Sequence, residues 1–143
     1  MIGRKGSVGF PGKNVYPVLG RPLAAYPLLA ANTSSNIERI FVSTDCPEIM
    51  KISREHGAEL IDRPQELATK EALGEDVFVH GYQEMKRHLK QENLDIELVV
   101  LLFANGATLN KELIDQGIEI LRNGKDFDSA VTTSVYNMWS PLR

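Results

Sequence analysis

Cysteine is almost absent from this 143-residue chain, where Cys46 stands alone. One thiol cannot close an internal disulfide, so the expectation is a packed core in a reducing compartment, the cytoplasm. Also missing is any apolar run near the ~20 residues that a membrane-spanning helix needs. The longest, Leu98–Ala104, has only the length of a strand, and no membrane partner is expected. The opening Met1-Ile2-Gly3-Arg4-Lys5 carries no apolar signal core. Basic charge is not in excess: 16 Lys and Arg against 19 Asp and Glu leave a net charge of −3. Without a strongly basic face, no nucleic-acid partner is expected. Internal repeats, low-complexity tracts and composition breaks are lacking too, so residues 1–143 read as one domain.

What is present is ordinary globular content, 43% hydrophobic and 24% charged, arranged as alternating strand-like and helix-like segments. Ile37–Ser43 (IERIFVS) clusters β-branched and aromatic residues and reads as a strand. Asp45-Cys46-Pro47 reads as a helix start, with Asp45 a cap, Ile49, Ile52 and His56 on one face, and Gly57 a stop. Ala58–Ile61 reads as a short strand. Leu73, Val77, Gly81, Met85 and Leu89 recur every fourth residue, which predicts a long amphipathic helix. Leu98–Phe103 predicts a strand covered on both faces. Asn110 is a cap for a helix with the stripe Leu113, Gly117, Ile118 and Leu121, ending near Asn123-Gly124. Ser129–Val135 reads as the last strand. This alternation predicts a mostly parallel sheet with helices on both faces, a three-layer Rossmann-like α/β sandwich. Ligands of such sheets lie beyond the carboxyl ends of the strands. The loops to watch are therefore Gly3–Asn14, Thr44–Pro47, Asp62–Gly74 and Ala104–Asn110.

The first of these loops reads Gly3-Arg4-Lys5-Gly6-Ser7-Val8-Gly9-Phe10-Pro11-Gly12-Lys13-Asn14. Its glycines let backbone N–H groups approach an anion, and Arg4, Lys5 and Lys13 suit a triphosphate. From spacing alone a flexible basic arm is the competing reading, and the pattern is not a P-loop. The segment resembles the signature A-R-G-G-S-K-G-I-P-R-K-N of the acylneuraminate and KDO cytidylyltransferases. Arg4, Gly6, Ser7, Gly9, Pro11, Lys13 and Asn14 match it. The resemblance implies that Arg4 and Lys13 hold the CTP phosphates and serve catalysis, with Gly6 and Ser7 beside them, while Asn14 positions the nucleoside. Lys5, Val8 and Gly12 depart from the pattern.

Further along, Val42-Ser43-Thr44-Asp45 is similar to the family's V-S-T-D. Gly57-Ala58-Glu59 and Arg63-Pro64-Gln65-Glu66-Leu67-Ala68-Thr69 are similar to its G-A-E and R-P-A-E-L-A-S/T. An arginine before proline is held extended, which is expected to aim the Arg63 guanidinium out of the loop. The resemblance implies that Arg63 and Pro64 face the cytosine, with Ala72 nearby; the plain alternative is an Arg63–Glu66 surface pair. The family's D-T-A-S-S is here Lys70-Glu71-Ala72-Leu73-Gly74. Its V-L-L-Q-P-T-S-P is here Val100-Leu101-Leu102-Phe103-Ala104-Asn105-Gly106-Ala107. Phe103 thus replaces a sugar-contacting glutamine, and Asn105 is left as the polar candidate for the acceptor sugar, or else a turn residue. Asp128–Val135 is similar to D-S-V-V-S-V, followed by Trp139, a core, interface or stacking residue.

The implied reaction is transfer of CMP from CTP to an acidic sugar, a nonulosonic acid related to sialic acid, with release of pyrophosphate. Magnesium is the implied cofactor, but none of its ligands is found in this sequence. His56, His80 and His88 lack ligand spacing, and Cys46 lacks a base partner. Compared with the family, the domain is expected to be incomplete at both ends, and a homodimer is expected. The alternatives are a related sugar or polyol nucleotidyltransferase and a non-catalytic nucleotide-binding remnant.

Overall fold

The structure is a computed structural model, and it describes residues 1–6, 9–69, 71–124 and 126–133. A parallel pair forms its middle layer: β3 (Phe41–Thr44) lies beside β4 (Glu59–Asp62), with Phe41 opposite Glu59 and Thr44 opposite Asp62. The ladder continues on the other side of β3 through the chain's first residues. Ile2 bridges in parallel both to Ser43 and to Phe103. Gly3 N–H donates to Ser43 O, Ile2 N–H to Leu102 O and Ala104 N–H to Ile2 O. The sheet therefore runs β4, β3, residues 1–3, residues 102–104.

Side chains of β3 alternate between the two faces, as the period of two requires. Val42 packs with Ala24, Ala25 and Leu28 of the first helical region and with Ile49 and Ile52. These come from α1 (Ala25–Thr33) and α2 (Pro47–Glu55). Phe41 packs on the opposite face with Ile61 and Leu89, the last from α3 (Gly74–Gln91). α4 (Lys111–Asn123) joins α1 through Ile114, Ile118, Ala30 and Ala31, with Leu102 beneath. Helices on both faces of a parallel sheet make the three-layer sandwich that the alternation predicts.

Individual elements differ from expectation. The first strand is shorter than Ile37–Ser43, because only from Phe41 onward does β3 have both neighbours. Residues 98–101 are not a paired strand, and Leu98, Val99, Leu101 and Phe103 stay partly open to solvent. Ser129–Thr133 have no regular structure, which corrects the strand reading there; Ser134, Val135 and Trp139 lie outside the described residues. The buried residues of α4 are Ile114 and Ile118, so its inner stripe excludes the half-open Leu113. Asn110 does cap it, its side-chain oxygen accepting from Leu113 N–H at 3.0 Å. Asp45 is not a cap: Cys46 holds the cap position of α2 and makes no side-chain capping bond.

Residues 16–33 carry elements that the periodicity did not announce. A hairpin joins β1 (Pro17–Val18) to β2 (Arg21–Pro22), turning through Leu19 at φ 47° and Gly20 at φ 82°. The helix α1 follows, with buried Ala25, Pro27, Leu28, Ala30 and Ala31. Its burial is on most sides, so it lacks the polar stripe by which a surface helix is recognised.

Candidate functional site

The carboxyl ends of the parallel segments open into a cavity of ≈ 360 Å³. Three of the four loops named from sequence meet there. Gly3, Arg4, Lys13 and Asn14 come from the glycine-rich loop. Arg63, Leu67, Thr69, Ala72 and Gly74 come from the stretch after β4, and Ala104 and Asn105 from the loop after residue 103. The fourth, Thr44–Pro47, does not line the cavity but holds its wall: Asp45 Oδ1 accepts from Lys5 N–H at 2.7 Å. That bond ties the glycine-rich loop to the end of β3.

Gly3 is where this loop leaves the sheet. A Cβ placed there would lie 2.6 Å from Ala104 Cβ, so only glycine lets the first and last segments of the ladder come this close. Gly6 (φ 79°) and Gly12 (φ 73°) then turn the chain through left-handed conformations. Lys13–Val15 form a short 3-10 turn that brings Lys13 and Asn14 back to the cavity. Asn14 Nδ2 donates to Arg4 O at 3.3 Å, pinning the two ends of the loop together.

Arg63 is placed otherwise than expected. Its guanidinium folds inward, leaving the residue only 9% exposed. Nε donates to Ser43 Oγ at 3.1 Å and Nη2 to Ser43 O at 2.5 Å. The proline restriction fixes the backbone of Arg63 but not its side-chain torsions, and the carbonyl and hydroxyl of Ser43 offer partners that solvent-facing loop does not. Among the described residues no Arg63–Glu66 pair forms. Burial lowers the Arg63 pKa, Asp45 raises it and neighbouring Arg4 lowers it again. Two guanidinium cations thus converge with Lys13 on one cavity, and among the described residues no ion pair involves any of the three. An anion is what such an arrangement attracts.

Of the other residues named from sequence, Ala72 and Asn105 line the cavity, whereas Gly6 and Pro64 do not. Ser7 lies outside the described residues. Thr69 Oγ1 accepts from Ala72 N–H at 3.2 Å and shapes the wall there. The sequence reading missed Leu67, Thr69 and Val77 as lining residues. It also treated Phe103 only as a loss, yet this ring lines the cavity and is 54% exposed. The signal available was its position at the carboxyl end of a strand-like run. Among the described residues no group of three His, Cys, Asp or Glu side chains converges as a metal site. No helix among them is long and apolar enough to cross a membrane.

A model of the cytidylyltransferase family matches residues 2–139. The chain belongs to the cytidylyltransferase family. It is 32% identical over 138 residues to the CMP-N,N'-diacetyllegionaminic acid synthase of Legionella pneumophila, covering 95% of this chain and 58% of that protein. It is 26% identical over 144 residues to a Helicobacter pylori protein named as pseudaminic acid cytidylyltransferase and UDP-2,4-diacetamido-2,4,6-trideoxy-beta-L-altropyranose hydrolase. That match covers 100% of this chain and 26% of the relative. This cytidylyltransferase chain thus spans little more than half, or only a quarter, of these relatives. Among solved structures, a CMP:2-keto-3-deoxy-manno-octonic acid synthetase in complex with CTP matches with a TM-score of 0.66 and 16% identity, over 87% of this chain and 46% of that one. A cytidylyltransferase from Leptospira borgpetersenii matches with a TM-score of 0.61 and 18% identity, over 87% and 48%. These likenesses agree with the sandwich described above.

Proposed function

We propose that this cytidylyltransferase chain binds CTP in the cavity at the sheet's carboxyl ends and serves the transfer of CMP to an acidic sugar. The observation that carries the reading is the convergence of Arg4, Lys13 and Arg63 there, with no ion pair to any of the three among the described residues. Residues 1–143 belong to a single nucleotidyltransferase domain that extends beyond both ends of this segment and works as a homodimer in the cytoplasm with CTP and a nonulosonic acid as substrates. The homologues' names, for legionaminic and pseudaminic acids, support that sugar class.

In the reaction a sugar hydroxyl oxygen attacks the α-phosphorus of CTP. The new oxygen–phosphorus bond forms as the bond to the β-phosphate oxygen breaks, pyrophosphate leaves, and the hydroxyl proton is lost to solvent or a base. Transfers of this kind depend on positioning and on neutralising the departing charge. Arg4 and Lys13 take the β- and γ-phosphates, Asn14 orients the nucleoside, and Asn105 faces the acceptor. Arg63 approaches the base with the donors that Ser43 leaves free, since two of its five N–H groups are engaged. Magnesium would accompany the triphosphate and neutralise its charge. Among the described residues no ligand set fits it.

Calorimetric titration of the chain with CTP, UTP, GTP and ATP tests the proposal. Lys13→Ala should weaken CTP and UTP equally. Arg63→Ala should weaken CTP by about 1–3 kcal/mol, the cost of a lost charged hydrogen bond, and erode its preference over purine nucleotides. No CTP binding by the chain, or Arg63→Ala without effect on affinity and preference, would remove the corresponding role. Light scattering at high concentration should give the mass of two chains; a monomer refutes the dimer.

A further inference from the structure

The floor of the nucleotide cavity is one row of the sheet, and the two ends of that row differ in chemistry. Ile2 bridges to Ser43 on one side and to Phe103 on the other. Residues opposite one another in a ladder project to the same face, and successive residues alternate. Phe41, two residues before Ser43, packs with Leu89 of α3. Leu102 and Ala104, on either side of Phe103, pack with the helices of the other face. Ser43, Ile2 and Phe103 therefore all lie on the α3 side. At ~4.8 Å between strands, Ser43 and Phe103 are about 10 Å apart across the row. Ser43 holds Arg63 at one end through its hydroxyl and carbonyl. At the other end stands the Phe103 ring.

That ring is held in place and left uncovered. The backbone of Phe103 is fixed by the bridge to Ile2 and by Gly106 N–H, which donates to Phe103 O at 2.9 Å. The side chain lines the cavity yet is 54% exposed, and Ile2 and Val77 add apolar lining. An apolar ring open in a cavity gains free energy when the C–H surface of a ligand covers it. It offers a hydroxyl nothing to bond, so a hydroxyl pressed against it loses its water without a partner. With the cytosine at Arg63 and the phosphates at Arg4 and Lys13, as proposed above, this end of the row is left to the acceptor. Asn105 follows in the same turn and lines the cavity as its polar group.

We propose that Phe103 determines acceptor specificity: it receives the methyl group of a deoxy acidic sugar and disfavours the hydroxymethyl group of the fully hydroxylated counterpart. The inference rests on the nucleotide reading above and narrows the acceptor within it. Asn105 and the cations serve the carboxylate and the hydroxyls that all such sugars share, so they do not tell one from another. The ring at the end of the row does. A methyl–hydroxymethyl difference against an apolar wall is worth about tenfold to a hundredfold in affinity.

The test is a saturation-transfer difference NMR titration of the chain with N-acetylneuraminic acid and with its 9-deoxy form, sugars that differ in one hydroxyl. Both titrations contain a saturating CTP analogue whose α,β-methylene bridge prevents transfer, and calorimetry first measures the binding of that analogue. The deoxy sugar is expected to bind at least about tenfold more tightly. Phe103→Gln should cut this preference to about threefold or less, because its amide can bond the hydroxyl. Phe103→Leu, still apolar, should keep it. Both variants replace a half-open side chain, and circular dichroism checks that they fold. No binding of the analogue overturns the nucleotide reading and this inference with it. Binding of the analogue with equal affinities for the two sugars, or with neither sugar bound, overturns the acceptor inference alone. So does a preference that survives Phe103→Gln or vanishes in Phe103→Leu.

Discussion

At the scale of single residues, two backbone positions decide how the sheet and the site meet. Gly3 sits where a Cβ would come within 2.6 Å of Ala104 Cβ. Gly3→Ala should therefore cost about 1–3 kcal/mol through overpacking, read as a lower urea midpoint, with partial rescue by Ala104→Gly. No change in midpoint would show that the ladder yields without strain. The Met1 amine gives a second expectation. Burial lowers its pKa from the ordinary 8.0 to about 5 in the folded chain. Between these values the unfolded chain holds a proton that the folded chain lacks, so stability should rise with pH from about 5 to 8. Chains acetylated at Met1 should lose that part of the slope in urea titrations across this window. An unchanged slope would show that the amine is hydrated in the folded state. Arg63 marks the limit of residue-level inference from sequence. Its loop and neighbours were legible in Arg63-Pro64, but the inward turn depends on Ser43, whose carbonyl is presented by a distant strand.

Among elements, the hairpin between β1 and β2 carries an evident local conflict. Its turn places Leu19 in the left-handed region at φ 47°, with the side chain 94% exposed. A two-residue turn with positive φ at both positions favours Asn-Gly, and a left-handed leucine costs roughly 1–2 kcal/mol. Leu19→Asn should raise the melting temperature, consistent with about 0.5–1 kcal/mol of stabilisation. A lower melting temperature would mean that Leu19 makes a contact worth more than its strain. The contrast with α3 explains which elements could be read in advance. Val77, Gly81 and Leu89 of its four-residue stripe are buried against one face of the sheet, so period and packing agree. α1 is buried on most sides and leaves no period. Residues 98–101 read as a strand because they are apolar, but a ladder needs a neighbour as well as a propensity, and composition cannot show the neighbour. The nucleotide cavity was legible as a set of loops because strand polarity alone sends their ends to one side. Phe103 and Thr69 escaped notice because membership in a wall depends on how neighbouring loops fold back.

For the whole molecule, the nucleotide site gathers the loops that follow the sheet's parallel segments into one cavity. CTP near a hundred times its Kd should stabilise the native state by about 2.7 kcal/mol. For a domain of this size the melting temperature should rise on the order of 5–10 °C. Scanning calorimetry with CTP against ATP would read this, and equal shifts would argue against base recognition. The central placement of residues 1–3 also bears on how the protein folds. Their ladder partners include Leu102 and Ala104, about a hundred residues away along the chain. The middle of the sheet can close only when that long loop closes, so the entropy of closure falls on the step that unites the two walls of the nucleotide site, and folding should be slower than in a domain of local contacts.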